Sequence, residues 1–324
     1  MALTNIVIVT WNSIIHTKLT IESLFEATSS DYYLTIVDNG SSDGTSEYLQ
    51  NLKVPKNCLG YEVVLNKNNT GYGHAINQGY VVSKKLNLKY TCVCNNDLYF
   101  ENDWLTNLEV AMENDVNCGI MGTLRPGIFY KHHTSNLSTK EVVDQSPFFE
   151  DPFEELKFFC GSSDINEGFT KIKAQNNFGI YKLMCPPDAV VTCCAIVRNS
   201  AIEKAGGLAD EVFETYGSED IDLSWRLFDN GFTCKIHSGV YVHHFRHRSI
   251  NDSNLDRKYY LKLNNIKFIK KWETKIQQIF KEEMEKGQNI EDIFDEKKNP
   301  SFYLLKLINN NIDFINSLNI GSHE

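Results

Sequence analysis

Three acidic side chains lie within four positions of the segment ETYGSEDIDLSWRLFDNG, residues 214–231: Glu219, Asp220 and Asp222. An apolar pattern of helical spacing follows, which predicts that they occupy the first turn of a helix. The helix dipole favours the ionised form of a carboxyl group at that position. A carboxylate placed there could act as a general base.

Helix capping explains the same segment without any chemistry. Ser218 is a suitable N-cap residue, acidic residues suit a first turn, and Gly231 lies where a glycine would end the helix. Ile221, Trp225 and Phe228 recur at i, i+4 and i+7, which predicts that this face packs inward. The segment alone favours capping, so other motifs must decide between the two interpretations.

A second acidic motif is TIVDNGSSDGT, residues 35–45. A β-branched strand ends at Asp38 and a turn follows, which predicts that this carboxylate lies where ligands of open α/β folds bind. It could accept a hydrogen bond from a base imide or from a ribose hydroxyl. An Asx-turn that merely closes the loop is an equally good interpretation.

A third motif, NND at Asn95–Asp97, follows the strand-like run YTCVC, residues 90–94. Carboxylate and amide oxygens at a strand end suit Mg²⁺ or Mn²⁺, which take few protein ligands and complete their shell with diphosphate oxygens and water. Asn95 weakens this interpretation, because an amide contributes no charge.

Glycines mark a fourth segment, NKNNTGYGHAINQG, residues 66–79. Gly71 and Gly73 precede a helical pattern and would allow the backbone to approach a ligand closely. Helix capping explains these glycines equally well. This segment supports a binding site only in combination with the other motifs at the same edge of the sheet as Asp38.

Alternating strand and helix patterns are expected to position these motifs. Apolar runs predict strands at Asn5–Thr10, Leu34–Val37, Tyr61–Leu65, Tyr90–Cys94 and Gly119–Gly122. Helical patterns between them are marked by Ile21, Leu24 and Phe25, by Ile76, Gly79, Tyr80 and Ser83, and by Leu105, Leu108 and Met112. This alternation is typical of an α/β fold with a mostly parallel sheet covered on both faces.

The rest of the chain is less regular. Residues 124–188 mix aromatic, turn and polar residues without a clear period, which predicts an ordered insertion that covers a site. Beyond it we expect a strand at Ala189–Val197, a helix at Ser200–Ala205 and a hairpin-like pair at Thr233–His244. Residues 250–324 have a helical pattern.

The helical pattern over residues 256–275 carries seven basic and two acidic residues. We interpret it as a helix between the core and the last helix, with its lysines in solvent. The alternative is a surface for anionic lipid or a lipid-diphosphate acceptor, which would give peripheral membrane contact. A stripe in the last helix predicts a core or homodimer contact: Phe302, Leu305, Ile308 and Ile312.

Composition excludes several classes of protein. The formal net charge of −10 argues against a nucleic-acid partner, because such binders cluster Lys and Arg. The nine cysteines are an odd count, and Cys92, Cys94, Cys193 and Cys194 lie in strand-like apolar runs, which indicates reduced thiols rather than a disulfide framework. No apolar run approaches the roughly 18 residues that span a bilayer, and the N-terminus lacks a signal pattern. We therefore expect a cytoplasmic protein.

Several motifs occur together in an order that resembles the inverting family 2 glycosyltransferases of GT-A fold, particularly the rhamnosyltransferase-like branch. They are Thr10-Trp11-Asn12, VDNGSSDGT, NTGYGHAINQG, NND, GGLADEVFETYGSEDIDLSWRLFDNGF and VHHFRHRS. The resemblance covers residues 4–123 and 186–275. It departs from the family at Asn95, where many members have Asp, and at the insertion.

The resemblance implies a GT-A (Rossmann-like) domain at residues 1–250, followed by a C-terminal helical extension at 251–324. Within the first, it implies a nucleotide-sugar-binding half, an insertion, and a half that holds the acceptor and the catalytic base: 1–123, 124–188 and 189–250.

Site residues also follow from the resemblance. It implies Asp220 as general base and Asp97 as the carboxylate of the metal-binding DxD element. Glu219 is then expected to orient the acceptor or the loop. His243 is implied as a metal or diphosphate contact; His244 is the competing choice, and a buried strand histidine is a third interpretation. The resemblance implies that Thr10, Asn12 and Asp38 line the nucleoside pocket, and we expect further contacts with the nucleotide sugar from Trp11, Gly71, Asn77, Asn95 and Asn96.

The implied reaction transfers a single hexose or deoxyhexose from a UDP or dTDP sugar to a hydroxyl of a glycan, lipid-linked or protein acceptor, with Mn²⁺ or Mg²⁺. An inverting transfer needs one base, because a metal can neutralise the leaving diphosphate and no second carboxylic acid is required. Asp222 is then expected to cap the helix or to pair outside the site.

Two other functions compete with this one. A non-catalytic nucleotide-sugar binder or scaffold subunit would keep the pocket without turnover. A nucleotidyltransferase would share the sheet but needs a basic glycine-rich loop near the N-terminus, which VTWNSIIHTK does not supply.

Overall fold

The computed structural model describes residues 3–126, 149–245 and 256–287 of the chain. Its strands are β1 (Thr4–Thr10), β2 (Tyr32–Asp38), β3 (Cys58–Leu65), β4 (Tyr90–Asn95), β5 (Leu98–Phe100), β6 (Cys118–Leu124), β7 (Ile180–Lys182), β8 (Cys194–Arg198) and β9 (Thr233–His244). Its helices are α1 (Ile14–Ala27), α2 (Thr45–Gln50), α3 (Tyr72–Lys85), α4 (Trp104–Glu113), α5 (Pro152–Cys160), α6 (Ile165–Gln175), α7 (Asn199–Lys204), α8 (Glu219–Asp229), α9 (Arg257–Lys271) and α10 (Glu273–Glu285).

The described strands form one mixed sheet in the order β3-β2-β1-β4-β8-β6-β9-β5, with β7 paired to β9. Strands β3, β2, β1 and β4 are parallel. Strand β8 is antiparallel to both β4 and β6, and β9 is parallel to β6. The α/β fold predicted from the sequence, a mostly parallel sheet flanked by helices, is therefore confirmed.

The acidic motifs meet at one edge of this sheet. We call the edge at which β1, β2, β4, β6 and β9 end the carboxyl edge; the antiparallel strand β8 begins there. Strand β9 starts at the opposite edge, where Thr233 pairs with Cys118. Helix α8 ends shortly before β9 and packs on β6 and β9. Its first residue, Glu219, therefore lies towards the carboxyl edge.

Apolar side chains cover both faces of the sheet. Along β1, Ile6 and Ile8 belong to one buried cluster and Val9 to the other, because successive side chains of a strand point to opposite faces. Helix α3 packs on β1 so closely that a Cβ at Gly79 would lie 2.2 Å from Val7 Cγ1. Only glycine allows this approach.

The two C-terminal helices share this core. The Phe268 and Trp272 rings lie 4.9 and 5.3 Å from the Trp225 ring of α8. Ile276 and Phe280 of α10 are buried in the same cluster. Helices α9 and α10 therefore pack on α8 and continue the hydrophobic core on that face of the sheet.

Asp222 joins α8 to α9. Its buried carboxylate accepts hydrogen bonds from Arg226 Nε at 2.7 Å and from Trp272 Nε1 at 2.9 Å, and Lys271 Nζ lies 2.6 Å away. The Arg226 guanidinium also donates to three carbonyls of the preceding loop, those of Ala205, Gly207 and Leu208. Asp222 thus pairs within the helix packing, as the sequence analysis expects.

The lysines of this region serve the packing as well. Three of them form ion pairs with acidic residues of the body: Lys267 with Glu214 and Lys271 with Asp210, both at 2.6 Å, and Lys275 with Asp229. The helical pattern predicts that these lysines lie in solvent. The structure uses them to hold α9 and α10 in place.

Two elements differ from the sequence prediction. Thr233–His244 is one 12-residue strand rather than a hairpin, because its first part pairs with β6 and β7 and its end with β5. The strand predicted at Ala189–Val197 begins only at Cys194. In both cases the pattern of apolar residues is ambiguous. It does not distinguish one bent strand from a hairpin, or a buried loop from a strand.

The described part of the insertion contains α5, α6 and β7. Asp151 and Asp164 cap the two helices by accepting hydrogen bonds from Phe153 N and Glu167 N. Residues 127–148 of the insertion and residues 288–324, which include the predicted apolar stripe, lie outside the described residues. All nine cysteines are free and buried. Within the described ranges, no helix combines the length and apolar character needed to cross a bilayer.

Candidate active site

Asp38 ends β2 at the carboxyl edge and is almost fully buried. Its Oδ1 accepts hydrogen bonds from Thr10 Oγ1 at 3.1 Å and from the Ser41 main-chain N–H at 3.3 Å, and its Oδ2 accepts one from Ser46 Oγ. These bonds close the loop after β2, which is one of the two interpretations that the sequence allows. A nucleoside that binds Asp38 would have to compete with Ser46 for Oδ2.

Hydrogen bonds join this loop to the one after β1. The Asn12 N–H donates to Ser41 Oγ at 2.7 Å, and Asn12 Oδ1 accepts from the Ser42 N–H at 2.8 Å. Asn12 has φ 58°, a left-handed conformation that Asn adopts more readily than most residues. The neighbouring Trp11 is partly exposed. Asn96 Nδ2 donates to the Asn12 carbonyl at 3.1 Å and so ties the end of β4 to the same loop.

His244 lies against Asp97 at the end of β9. Its Nε2 is 3.1 Å from Asp97 Oδ1 and 3.2 Å from Asn95 Nδ2, and both Asp97 and His244 are buried. Burial lowers the pKa of His244, but the Asp97 carboxylate and the Cys193 sulfur outweigh it and raise that pKa to about 9. At pH 7 the imidazole is therefore protonated and paired with Asp97.

His243, the histidine that the resemblance implies as metal or diphosphate contact, lies on the opposite face of β9. It is fully buried, with Nδ1 3.1 Å from the Tyr241 hydroxyl and Nε2 3.7 Å from Glu155 Oε1 of helix α5. Adjacent residues of a strand point to opposite faces, so only one of the two histidines can face Asp97. The structure places His244, the competing choice, beside Asp97, and His243 fits the third interpretation, a buried strand histidine.

The residues around His244 fit a divalent cation. A carboxylate oxygen of Asp97 lies 3.1 Å from the His244 imidazole at the carboxyl edge, and the Asn95 amide nitrogen lies 3.2 Å from the same imidazole nitrogen. Carboxylate oxygens suit Mg²⁺ and Mn²⁺, and imidazole is a good ligand of transition metals. Asn95 would serve as a ligand only through its oxygen, with the amide group turned over. Since a protonated imidazole cannot bind a metal, His244 would have to lose its proton first.

Glu219 and Asp220 begin α8 and are partly exposed. The Ile221 N–H donates to Asp220 Oδ1 at 2.8 Å. Burial raises the pKa of Asp220 to about 6, although the Ile221 N–H and the Arg125 charge oppose the rise. Burial, and next the Asp220 charge, raise the pKa of Glu219 to about 8. At pH 7 Asp220 is therefore mostly ionised, whereas Glu219 mostly keeps its proton.

Three expectations about this helix need correction. The helix dipole does not hold the pKa of Asp220 low, because burial outweighs it. Ser218 occupies the N-cap position with φ 76°, but its hydroxyl makes no capping bond. Phe228, expected on the inward face, is 41% exposed. Gly231, with φ 83°, follows the helix end as predicted.

Gly71 and Asn77 contact the segment that leads to Asp220. A Cβ at Gly71 would lie 2.9 Å from Thr215 N, and the next residue, Tyr72, donates its N–H to the Thr215 carbonyl at 3.1 Å. The Asn77 amide bonds both the N–H and the carbonyl of Ala209 at 3.0 Å. The close approach at Gly71 is thus made to another loop of the protein. Contact of either residue with a nucleotide sugar stays a prediction.

Two residues that the sequence analysis does not name lie beside the acidic pair. Arg125 follows β6 at the carboxyl edge and is buried, with its charge near Asp220. Tyr72 begins α3 and donates from its hydroxyl to the Thr192 carbonyl at 2.9 Å. Burial raises the pKa of Tyr72, and the nearby Glu219 charge adds to the rise. Arg125 could have been found as a charged residue after a predicted strand.

The topology brings the ends of several strands and one helix together. Asp38 follows from β2, Asp97 from β4 and Asp220 from α8, and all three belong to the carboxyl edge of one sheet. Arg125 and His244 lie at the same edge, at the ends of β6 and β9. This edge therefore combines a partly exposed carboxylate base with a second carboxylate that has an imidazole beside it.

Comparison with known proteins gives the family. The model of the family described as Glycosyl transferase family 2 matches residues 5–169, about half of the chain. A search of curated proteins found no match. Among solved structures, the chain is similar to residues 1–349 of S. aureus TarS in complex with UDP-GlcNAc, at 11% identity and a TM-score of 0.51, covering 83% of this chain and 67% of that one.

Two further structures are similar. The mannosyltransferase PcManGT from Pyrobaculum calidifontis, in complex with GDP-Man and Mn²⁺, covers 99% of this chain and 76% of that one at 11% identity and a TM-score of 0.50. GalNAc-T7 with UDP, GalNAc and Mn²⁺ covers 75% of this chain at 13% identity and a TM-score of 0.48. The chain spans 44% of the GalNAc-T7 structure. At 11% identity the likeness to TarS and PcManGT concerns the fold alone, whereas the family match identifies the chain: it belongs to glycosyl transferase family 2.

Proposed function

We propose that this chain is an inverting glycosyltransferase in which Asp220 removes the proton of an acceptor hydroxyl as that oxygen attacks the anomeric carbon of a nucleotide sugar. The observation that carries the proposal is the state of Asp220 at the carboxyl edge. It is partly exposed, it begins a helix, and burial raises its pKa to about 6. A base of this pKa is ionised at neutral pH and still accepts a proton readily.

The neighbours of Asp220 suit this chemistry. Glu219, which mostly keeps its proton at pH 7, can donate a hydrogen bond to an acceptor oxygen and so orient it. The Arg125 charge lies close enough to hold Asp220 ionised against the effect of burial. A single base suffices for inversion, because the departing nucleoside diphosphate leaves as an anion.

The donor is proposed to be a UDP or dTDP hexose or deoxyhexose, with Asp38 accepting from the base or the ribose and with Thr10, Trp11 and Asn12 around it. Asp97 and His244 would hold Mn²⁺ or Mg²⁺, which would neutralise charge on the diphosphate. Nucleotide sugars bound to TarS and PcManGT support the donor class. Membership of the rhamnosyltransferase-like branch stays a prediction.

The acceptor is proposed to be a hydroxyl of a glycan, a lipid-linked molecule or a protein. A lipid-linked acceptor would require peripheral contact at the inner membrane face. Cytoplasmic location and homodimer formation stay predictions of the sequence.

Comparison of Asp220→Asn with the wild type tests the function. Donor-dependent release of nucleotide should fall by about 10²–10⁴-fold, while the affinity for the nucleotide sugar, measured by calorimetry, stays within a factor of two to three. Asp229→Asn, at the other end of the same helix, is the matched control and should keep full turnover. Equal turnover of wild type and Asp220→Asn would contradict the proposal and would favour a nucleotide-sugar binder without catalysis.

A further inference from the structure

The segment just before Asp220 has an unusual backbone conformation. Thr215, Gly217 and Ser218 all have positive φ, at 46°, 101° and 76°. Glycine adopts such angles freely, but a β-branched residue such as Thr rarely does. Residues keep conformations of this kind only when the surrounding structure fixes them, and they are frequent at active sites. The contacts of residues 214–218 should therefore show what fixes the start of α8.

One set of contacts comes from the start of α3. The Tyr72 N–H donates to the Thr215 carbonyl at 3.1 Å, and Gly71 lies directly against Thr215. These contacts hold the segment from the side of the predicted nucleotide-sugar pocket.

The other set comes from α9. Asn264 is fully buried and makes three hydrogen bonds to the segment. Its Oδ1 accepts from the Glu214 N–H at 2.9 Å, and its Nδ2 donates to the carbonyls of Glu214 at 2.6 Å and Tyr216 at 2.9 Å. The next residue, Asn265, accepts from Ser218 Oγ at 3.4 Å. The Leu261 side chain covers Gly217, where an added Cβ would lie 2.8 Å from Leu261 Cδ2.

We propose that Asn264 is a positioning residue for the catalytic base, which it places through three hydrogen bonds to the backbone of residues 214–216. The inference rests on the proposed role of Asp220 and assigns a share of the reaction to the C-terminal helices. Asn264 lies outside residues 5–169, the part of the chain that the family model matches. The acceptor side of the site therefore depends on a helix that is remote in sequence from the donor side.

The amide group is well suited to this task. One acceptor and two donors in a single plane can satisfy the Glu214 N–H and two carbonyls at once. Ala would leave all three backbone groups without these bonds in a buried place. Ser would offer a single hydroxyl on a shorter side chain, so its effect should lie between those of Asn and Ala.

Loss of these bonds should act on catalysis and leave donor binding unchanged. A displacement of about 1 Å at a catalytic group can cost up to about 100-fold in rate. We expect Asn264→Ala to lower kcat by about 10- to 100-fold, with donor affinity unchanged, and Asn264→Ser to lie between it and the wild type. Donor affinity should persist because the proposed contacts at Thr10, Asn12 and Asp38 lie on other loops. The bond from the Tyr72 N–H to the Thr215 carbonyl, next to Gly71, is also kept in the variant.

The pH profile gives a readout that general destabilisation would not move. Burial is the main cause of the raised pKa of Asp220, so a loosened segment that admits water should shift the acidic limb of kcat/KM to lower pH. The charged and titratable groups around the pair, Glu219, Asp222, Arg125 and Tyr72, are unchanged in the variant. An altered limb would therefore report the surroundings of the base.

Ile276→Ala is the matched control. Ile276 is buried in α10 and contacts the same core, so its loss destabilises the C-terminal helices without removing a bond to residues 214–216. At a temperature where circular dichroism shows each variant folded, Ile276→Ala should keep the wild-type kcat and acidic limb. If Asn264→Ala and Asn264→Ser also keep both, while Asp220→Asn is inactive, the positioning role is wrong and the proposed function stands. If Asp220→Asn is active, the proposed function itself fails.

Discussion

His244 Nε2 lies 3.1 Å from Asp97 Oδ1, so the proposed metal site holds a charged pair at neutral pH. A divalent cation that binds both residues must displace the imidazole proton, because metal ligands bind in their deprotonated form. One proton is then released for each cation bound. The affinity for Mn²⁺ should rise about tenfold for each pH unit between about 6 and 8. Calorimetry in the presence of UDP measures this slope, and an affinity that does not vary with pH would contradict the site.

The two adjacent histidines offer a direct comparison. His244→Gln should remove this pH dependence, because the titrating proton is lost. It should also weaken Mn²⁺ binding by about 10- to 100-fold, because the imidazole ligand is lost. His243→Gln should keep the Mn²⁺ affinity, because His243 faces Tyr241 and Glu155. The reverse result would contradict the assignment of His244, rather than His243, to the metal site.

The pH dependence of turnover should report Asp220. A base works when ionised, and burial raises the pKa of Asp220 to about 6, so kcat/KM should fall about tenfold per unit below pH 6. Arg125→Gln removes a charge that lowers this pKa. Its acidic limb should therefore lie at higher pH than that of the wild type. An identical acidic limb in both proteins would show that the Arg125 charge does not affect the pKa of Asp220.

Asp222 should matter for stability. Asp222→Ala leaves Arg226, Lys271 and Trp272 without their shared acceptor in a buried place. The free energy of unfolding should fall by about 3–5 kcal/mol. Asp229, which pairs with Lys275 nearer the surface, should contribute less than about 1 kcal/mol. Urea denaturation of Asp222→Ala and Asp229→Ala compares the two, and equal losses would mean that Asp222 does not join the helices.

Asp38 and Ser46 distinguish nucleotide binding from loop closure. If Asp38 binds the nucleoside, Asp38→Asn should weaken UDP binding by about 10-fold or more. Ser46→Ala should then keep or improve UDP affinity while costing about 1 kcal/mol of stability, because it frees Asp38 Oδ2. If Asp38 only closes the loop, both variants should lose stability and bind UDP with the affinity of the wild type.

Sequence patterns predict the fold well where local signals are strong. The first four parallel strands and helices α1, α3 and α4 follow from apolar period, and Gly231 ends α8 where the sequence places a stop. Asp151 and Asp164 are N-caps that the irregular insertion concealed, although Asp151-Pro152 is a helix-start signal. Strand β5 has only three residues, too few for a period.

The site is harder to predict, because it depends on contacts between distant residues. Sequence alone cannot choose between His243 and His244, since the strand face is fixed by pairing with β5. The pKa of Asp220 also depends on tertiary structure, because the effect of burial outweighs that of the local helix dipole. Asn264 gives no signal at all, as a buried amide in a basic helix has no motif of its own.

The packing of Phe268 and Trp272 on Trp225 bears on how this enzyme could be divided or recombined. A chain cut after residue 250 would leave the indole of Trp225 facing water, and the Asp222 carboxylate would lose one of its two cations and the Trp272 donor, so the fragment should precipitate when expressed alone. A chimera designed to exchange the acceptor preference between relatives would accordingly have to take α8, α9 and α10 together from one parent. It would also need the residues that pair with the lysines of α9 and α10.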